Sequence, residues 1–526
     1  MFKMKYRRYT KTTLCILLCS LFIKTLYADN PIITQRYTAD PNAFTFKDRL
    51  YVICSSDEDN GDGYNLLNYT LISTDDMANW TDHNLVFKVK SNTTWAGQAY
   101  APTAITRDGK VYLVFPNGAS SLGVLVADRP EGPYNDLLGR PLVDRNTPNC
   151  SVSGMEWLFD PCIFVDSTAS GTQAYLVFGG GRPYGTNFRI VKVNADMKSI
   201  SGTPQNLNAQ NSFEGPFLHK YNNKYYLSYP TANGSNIDYL MSDNPMTGWV
   251  YKGTVLPNPT LNGKNINLGN NSHESMIEYK GKWYMFYHDR RLSNMTYKRN
   301  ASVDVLNYNT DGTLQKVIVT TEGPAQIKNF NPYDTIQSET IWKQQGIKTE
   351  FCNEGGVMLT SISQGDYTSL KGVDFGTGAK TFEVRASSAS SGGTVEVHLD
   401  SPTGTLVASC AITGTNSWQT WKTFSCDVTN CSGVKNVYFV YKGSGEPFRL
   451  NWFRFTPTGV GINKNLKPVQ LVQEKKIQIL NPFGSTKISN GMSFDLSGKT
   501  VTNSAIKSSR SNLPSEMIYI LRKNND

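Results

Sequence analysis

Apolar stretches of four to six residues, rich in Tyr, Val, Ile and Phe, run through most of the chain and are broken by Asn, Gly, Asp and Pro. Long amphipathic helical patterns are scarce. Short alternating runs between turn residues read as strands, so the pattern predicts an all-β protein. Five paired stretches between Asp40 and Asp289 repeat one layout. They open on Asp40-Pro-Asn-Ala-Phe44, Ala101-Pro-Thr-Ala-Ile105, Asp160-Pro-Cys-Ile-Phe164, Glu214-Gly-Pro-Phe-Leu218 and His273-Glu-Ser-Met-Ile277. Each passes a polar turn into a second aromatic strand: Leu50-Tyr-Val-Ile53, Val111-Tyr-Leu-Val114, Ala174-Tyr-Leu-Val177, Tyr225-Tyr-Leu-Ser228 and Trp283-Tyr-Met-Phe286. The opening residues are 61, 59, 54 and 59 apart. The strand tyrosine follows at 11 residues in the first, second and fifth repeats, at 15 in the third, and at 11 or 12 in the fourth. A period near sixty built on paired strands predicts sheets arranged radially as blades. Equivalent opening residues then fall at one end of the central axis, where three carboxylates and a histidine would converge.

A further echo supports this layout. Ile72 to Trp80, Val124 to Tyr134 and Tyr239 to Trp249 read as outer strands ending in an aromatic turn. Past a linker near Asn329-Phe-Asn-Pro-Tyr333 the rhythm changes to a Gly-, Ser- and Thr-rich segment ending about Phe455, with alternating strands such as Thr394 to Leu399. A second break, Pro457-Thr-Gly-Val-Gly461, leads into a polar, basic tail with short strands around Met492–Asp495 and Met517–Ile520. The expected organisation is a signal at 1–28, a repeat domain at 29–325, a second β domain at 335–456 and a small C-terminal β domain at 462–526.

The signal reading rests on Lys3, Lys5, Arg7, Arg8 and Lys11 before the apolar run Leu14 to Ile23, with Leu26-Tyr-Ala28 as a cleavage site. Such a run is too short to span a bilayer, so the expectation is an exported chain, secreted, periplasmic or at the cell surface, with no membrane span. The net charge of +9 loses six once the cations of the first 28 residues are set aside, leaving about +3. That balance gives no reason to invoke nucleic acid. Nine cysteines fall to seven without Cys15 and Cys19. Cys150/Cys162 and Cys426/Cys431 are near enough in sequence to pair after export, and no cysteine has zinc-site spacing.

Two carboxylates facing each other across a pocket can cleave a glycosidic bond: one protonates the leaving oxygen, the other activates water or attacks. A third raises the acid's pKa by like-charge repulsion. Asp40, Asp160 and Glu214 fit such a trio. An isolated Asp-Pro is ordinarily a turn or cap, but a fivefold register argues for convergence. His273 is open between a satisfied core histidine and a pocket role through water or a cation. His288 and Arg290 read as closing the last repeat rather than lining the pocket. The chain has no Gly-x-Ser-x-Gly elbow, and Gly179-Gly-Gly181 follows a strand without opening a helix, so it reads as a turn.

With these residues in place, the first 325 residues resemble glycoside hydrolase family 43, five-bladed β-propellers. The resemblance rests on Tyr37-Thr-Ala-Asp-Pro41, Trp157-Leu-Phe-Asp-Pro161, Phe213-Glu214, Asn270-Asn-Ser-His273 and Tyr287-His288. It implies that Asp40 is the general base, Asp160 modulates the acid's pKa, and Glu214 is the general acid of an inverting reaction. Base and acid would stand roughly 6.5–9.5 Å apart. His273 matches an axial histidine that helps hold calcium or water; no cofactor is required for the chemistry. Within the family, Gly139-Arg-Pro-Leu-Val143 and Gly179-Gly-Gly181 resemble arabinoxylan arabinofuranohydrolases, which release arabinofuranosyl side groups from xylan. Tyr100 stands where many of these have tryptophan, and would stack on sugar with a smaller face.

Residues 335–456 resemble a family 6 carbohydrate-binding module, a β-sandwich, through Glu339, Gln364-Gly-Asp-Tyr367, Val373-Asp-Phe-Gly376, Gly392-Gly-Thr-Val-Glu396, Trp418-Gln-Thr-Trp421 and Leu450-Asn-Trp-Phe453. The resemblance implies sugar binding at Trp418 and a structural calcium near Glu339 and Asn451. Ser361 replaces the usual second aromatic and Arg449 the usual asparagine, which leaves a packing-only module as the alternative. The tail, through Phe494 to Lys499 and Leu513 to Ile520, is similar to sorting domains of the type IX secretion route, with Glu516 and Met517 departing from the usual glycine. The expected whole is a monomeric, exported hydrolase acting on plant cell-wall polysaccharide, arabinoxylan or a relative. The rivals are a β-xylosidase or arabinan-active enzyme on the same propeller, and a non-catalytic glycan-binding protein.

Overall fold

Each of the five repeats forms its own antiparallel sheet. The inner strands are Ala39–Phe46, Thr103–Arg107, Cys162–Thr168, Phe217–Tyr221 and Glu274–Tyr279, and each pairs with the aromatic strand that follows it. The first four sheets continue to four strands and the fifth stops at three. The third repeat needs a longer spacing because its hairpin, Cys162–Thr168 with Gly171–Phe178, is longer. The computed structural model describes residues 29–168 and 171–459, with 493–494 and 500–501. The export signal and nearly all of the sorting-like tail lie outside the described residues. Within 461–526, Ser493–Phe494 pairs antiparallel with Thr500–Val501. Among the described residues no helix is long and apolar enough to cross a membrane.

The sheets close on themselves through shared cores. Phe44 and Ile53 of the first pack with Leu113 and Phe115 of the second, and Val114 of the second with Leu176 of the third. Val177 of the third, Leu227 of the fourth and Met285 of the fifth share another core. Val52 of the first meets Phe286 and Val303 of the fifth, completing the ring. Each fully buried Val, Leu, Ile or Phe contributes roughly 1.5–3 kcal/mol. Trp80, Tyr134 and Trp249, the aromatic turns read from the sequence, all stand at the entry to fourth strands. Residues 30–38 run beside the last strand of the fifth sheet: the Ile32 N–H donates to Ala301 O at 2.9 Å and the Thr38 N–H to Arg299 O at 2.8 Å.

Polar side chains near the axis tie neighbouring inner strands together. Ser275 Oγ accepts the Ala43 N–H (3.1 Å), Asn42 Oδ1 the Ala104 N–H (2.9 Å), Thr103 Oγ1 the Ile163 N–H (3.2 Å) and Cys162 Sγ the Leu218 N–H (3.2 Å). At the fourth-to-fifth junction the equivalent position is Phe217, whose side chain can make no such bond.

Residues 336–457 form two antiparallel sheets packed face to face over a core that includes Phe382, Val397, Phe439 and Phe453. This sandwich is attached to the ring by backbone and by buried charge. Thr340–Ile341 pairs with Thr81 and Trp80, adding a fifth strand to the first sheet. Beside it, buried Asp82 accepts from Arg36 Nε (2.9 Å) and Thr349 Oγ1 (2.8 Å).

The two cysteine pairings that closeness in sequence left open do not form; all seven described cysteines are free. Cys150 and Cys162 belong to different cores, and the Cys162 thiol serves the ring. Cys426 contacts the Cys410 thiol rather than Cys431.

Candidate active site

All five opening residues, Asp40, Ala101, Asp160, Glu214 and His273, line one cavity of about 120 Å³ at the axis. Tyr64, Leu66, Tyr100 and Phe159 supply its apolar wall, Asn271 and Arg299 its polar remainder. The backbone turns these side chains inward by a shared kink. Asp40 (φ 48°) and Asp160 (φ 46°) adopt the left-handed region that side chains seldom occupy, each followed by proline. Strain of this kind persists where the surrounding structure imposes it, and it clusters at functional sites.

The fourth sheet solves the same problem differently. Tyr226 pairs with His219, five residues after Glu214, whereas the matching tyrosines pair four residues after the opening residue, as Tyr51 does with Phe44. The register therefore puts Gly215, not Glu214, at the kink, and Gly215 has φ 58°. A Cβ there would stand 3.1 Å from His273 Nδ1 and Cε1, so glycine lets the His273 ring pack against this turn. Glu214 gains one residue of reach toward the cavity.

The three carboxyls are buried, at 4, 5 and 8 % exposure for Asp40, Asp160 and Glu214, yet their environments differ. Burial alone would raise Asp40, but the Arg299 guanidinium outweighs it, helped by His288 and His273, and holds the carboxyl well below the usual range. Arg299 NH1 donates to Asp40 Oδ1 at 2.7 Å while its Nε and NH2 grip Asp57 at 3.0 and 2.8 Å. Asp160 has no such partner; burial first, then Glu214 and Asp40, push it well above the ordinary value. Glu214 rises to about 7, chiefly through burial and against the opposing hydrogen bond from Asn271 Nδ2 (3.3 Å). Asp40 is thus ionised and Glu214 protonated over the acidic half of the pH scale, a split suited to base and acid. His273, 3.8 Å from Asp40 Oδ1, is lowered to about 4 by burial and is neutral at pH 7.

His288 and Arg290 do not line the cavity, in keeping with the expectation from sequence, but they brace residues that do. His288 Nδ1 accepts the Asp40 N–H (3.2 Å) and its Nε2 bonds Asn271 O (2.9 Å), which fits a neutral ring protonated on Nε2. Arg290 NH2 donates to Asn271 Oδ1 (2.7 Å), and so does the Tyr64 hydroxyl (3.0 Å). Arg299, Asp57, Asn271 and Tyr64 escaped the sequence reading because they lie outside the repeated openings. Only Asn271 lay inside a quoted pattern, Asn270-Asn-Ser-His273. A larger cavity of about 750 Å³ opens by Lys47 and Lys328, at the far end of the first inner strand. Its acids, Asp48 and Asp75, pair with Lys280 and Lys328 at 3.7 and 2.6 Å.

Among the described residues no three His, Cys, Asp or Glu side chains are grouped as metal ligands. His273 is therefore not part of such a group. In the sandwich, Glu339 is buried with Oε2 unpartnered and its carboxyl pushed well above the usual range by burial. Such a group suits a cation, whereas Asn451 spends its amide on Glu354 Oε2 (3.0 Å). Trp418 is half-buried, and the Arg449 guanidinium lies over its ring, 5.0 Å from the centre. Glu446 (3.1 Å) and Glu350 (3.4 Å) hold that guanidinium, and Ser361, at φ 58°, donates its N–H to Glu446 (3.1 Å).

Comparison with known proteins agrees with this architecture. Residues 28–314 match the model of glycosyl hydrolases family 43, and 337–457 that of carbohydrate binding module family 6. The chain is 35 % identical to an arabinoxylan arabinofuranohydrolase of Paenibacillus polymyxa over 82 % of its own length and 75 % of the relative's. It is similar to the crystal structure of an arabinoxylan arabinofuranohydrolase from Bacillus subtilis in complex with cellotetraose (TM-score 0.75, 34 % identity, 82 % of this chain and 97 % of that one). A xylosidase/arabinosidase of Humicola insolens is 31 % identical, over 54 % of this chain and 98 % of the relative.

Proposed function

The chain belongs to glycosyl hydrolase family 43, and on that footing we propose that it is an inverting enzyme that removes terminal arabinofuranosyl side groups from arabinoxylan. The observation that carries the reading is the convergence of Asp40, Asp160 and Glu214 in one small cavity of a five-bladed propeller. Substrate choice is supported by coverage. Relatives named for arabinoxylan match the ring and the sandwich together, while the xylosidase/arabinosidase match covers little more than the ring.

In this mechanism Asp40, kept ionised by Arg299, takes a proton from water, which attacks the anomeric carbon. Glu214 gives its proton to the leaving glycosidic oxygen. Asp160 is the modulating carboxyl: its own pKa is raised by burial and by Glu214, so the two acids do not both carry charge and its proton is coupled to the acid's. Tyr100 and His273 contact the sugar in the pocket. The sandwich serves xylan-type polysaccharide, and Glu339 would hold its structural calcium. We also propose that the protein is exported and monomeric.

Product analysis on arabinoxylan, linear arabinan and xylo-oligosaccharides tests the reading. Arabinose released from arabinoxylan alone is the expected result. Xylose from the oligosaccharides would replace it with a β-xylosidase, and inactivity on all three would leave a glycan-binding protein.

A further inference from the structure

The sandwich has two pairs of sheet edges, and the ring holds one of them. Gln344–Gln345 edges one sheet and Lys348–Phe351 the other. Gln344 Nε2 donates to Thr34 Oγ1 and Lys348 Nζ to Asp59 Oδ2, both at 2.9 Å. The opposite edges are Thr405–Thr413 in the first sheet and Ser417–Asp427 in the second. These two strands follow each other in the chain yet belong to different sheets, and among the described residues no further strand extends either sheet beyond them. A sandwich fastened on one side and open on the other is prone to part at its open edges.

A single backbone bond bridges those open edges: the Thr429 N–H donates to Val407 O at 2.9 Å. The two strands run antiparallel, so three residues inward from that bond on each of them Cys410 comes opposite Cys426. Cys410 is fully buried in the sandwich core, and half-buried Cys426 packs against the same core. The Cys410 thiol hydrogen-bonds Cys426, and the Ser409 N–H is directed at the same sulfur. Residues directly opposed on antiparallel strands stand about 4.5–5.5 Å apart at Cα, inside the roughly 4.4–6.8 Å that a disulfide spans. The pair can therefore close with little movement of the backbone.

We propose that Cys410 and Cys426 form a disulfide that staples the two sheets at their open edges. The inference rests on the export proposed above, since such bonds persist in oxidising compartments. Closure removes two protons and two electrons from the thiols and joins Sγ to Sγ. A disulfide oxidant, such as oxidised glutathione, accepts them and leaves as two thiols. Cys426 is the one described cysteine that is not buried, so its sulfur meets the oxidant first and forms a mixed disulfide. Cys410, already in contact, then displaces the oxidant's remaining half. The hydrogen bond from Cys410 holds the Cys426 thiol below its usual pKa, which favours the attacking thiolate.

The test is to alkylate the denatured full chain before and after incubation with oxidised glutathione, then digest it without reductant for mass spectrometry. Two of the seven described thiols should disappear into one linked pair of peptides, carrying Cys410 and Cys426. Oxidised wild type should melt about 5 °C above the reduced protein, and Cys410→Ser and Cys426→Ser should each abolish that difference. A wild type that keeps both thiols in oxidised glutathione, or that links Cys426 to Cys431, would overturn the pairing without recourse to any variant. Protein recovered from the culture medium should already carry the link, and the open dithiol there would overturn the native staple. Protein confined to the cytoplasm, with closure intact in glutathione, would overturn the export reading instead.

Discussion

Replacing Glu214 by Gln should abolish hydrolysis and at the same time stabilise the fold at alkaline pH. The glutamate is 8 % exposed and its carboxyl titrates at about 7, against 4.5 in the open chain. Below the open-chain value both states hold the proton, so the group is neutral in stability. Between the two values the folded state keeps a proton the unfolded state has lost, and stability falls as pH rises. Above about 7 the cost is complete: a shift of that size corresponds to about 3 kcal/mol. Glutamine keeps the shape and cannot ionise, so it escapes this cost. It also removes a negative charge that Asp160 must tolerate, which acts in the same direction. Urea unfolding of both proteins at pH 4.5 and pH 8 isolates the effect, because any pH-independent cost of the amide cancels between the two pH values. The variant should gain about 3 kcal/mol on wild type between pH 4.5 and 8. An equal difference at both pH values would refute the raised carboxyl, and near-normal turnover would refute the acid role.

The other predictions follow from the same network. In wild type, kcat/KM should fall above about pH 7 as Glu214 loses its proton, with no matching acid limb in the ordinary carboxylate range, because Asp40 is held below it. Asn271→Ala removes the hydrogen bond that favours ionised Glu214 and should move the alkaline limb upward by about one pH unit or less, the worth of one such bond; a downward move would contradict the assignment. Arg299→Met strands Asp40 and Asp57 without their cation and should cost about 3–5 kcal/mol in urea unfolding, with loss of turnover. Trp418→Ala should leave retention on insoluble xylan unchanged because Arg449 already covers the ring. Arg449→Asn should increase retention, and Trp418→Ala in that background should remove the gain.

The sequence showed what repetition could show. The five openings were legible because each begins an inner strand, and a strand's start is a fixed place on a radial sheet. Even the ambiguous fourth spacing had a structural cause, since Gly215 inserts one residue between Glu214 and the register shared by the other sheets. Partners that reach the pocket from elsewhere were not legible. Arg299 meets Asp40 across 259 positions, and nothing in its local sequence marks it. The bracing role of His288 was not legible because a residue at the end of a strand looks the same whether it only seals an edge or also accepts a backbone N–H. The cysteine readings failed because closeness in sequence says little inside a sheet, where neighbours come from other strands: Cys410, sixteen positions away, approaches Cys426. The covering of Trp418 depends on a guanidinium held by Glu350 of a distant strand and by Glu446 of the preceding loop, which no substitution pattern states.

The side-chain bonds between inner strands divide the ring unequally. Four junctions are latched by Asn42, Thr103, Cys162 and Ser275, and the fifth has Phe217 in the latch position. That unlatched seam separates the strand after Glu214 from the strand after His273, so it runs directly beneath the pocket. That junction is fastened outside the row of inner strands: Asn271 Nδ2 donates to Glu214 Oε1 at 3.3 Å, the Ser272 N–H to Ser235 Oγ at 3.0 Å, and His219 Nε2 bonds the Tyr308 hydroxyl at 2.9 Å. The acid is thus itself one of the clasps that close the ring, and its protonation state bears on the seam as well as on the sugar.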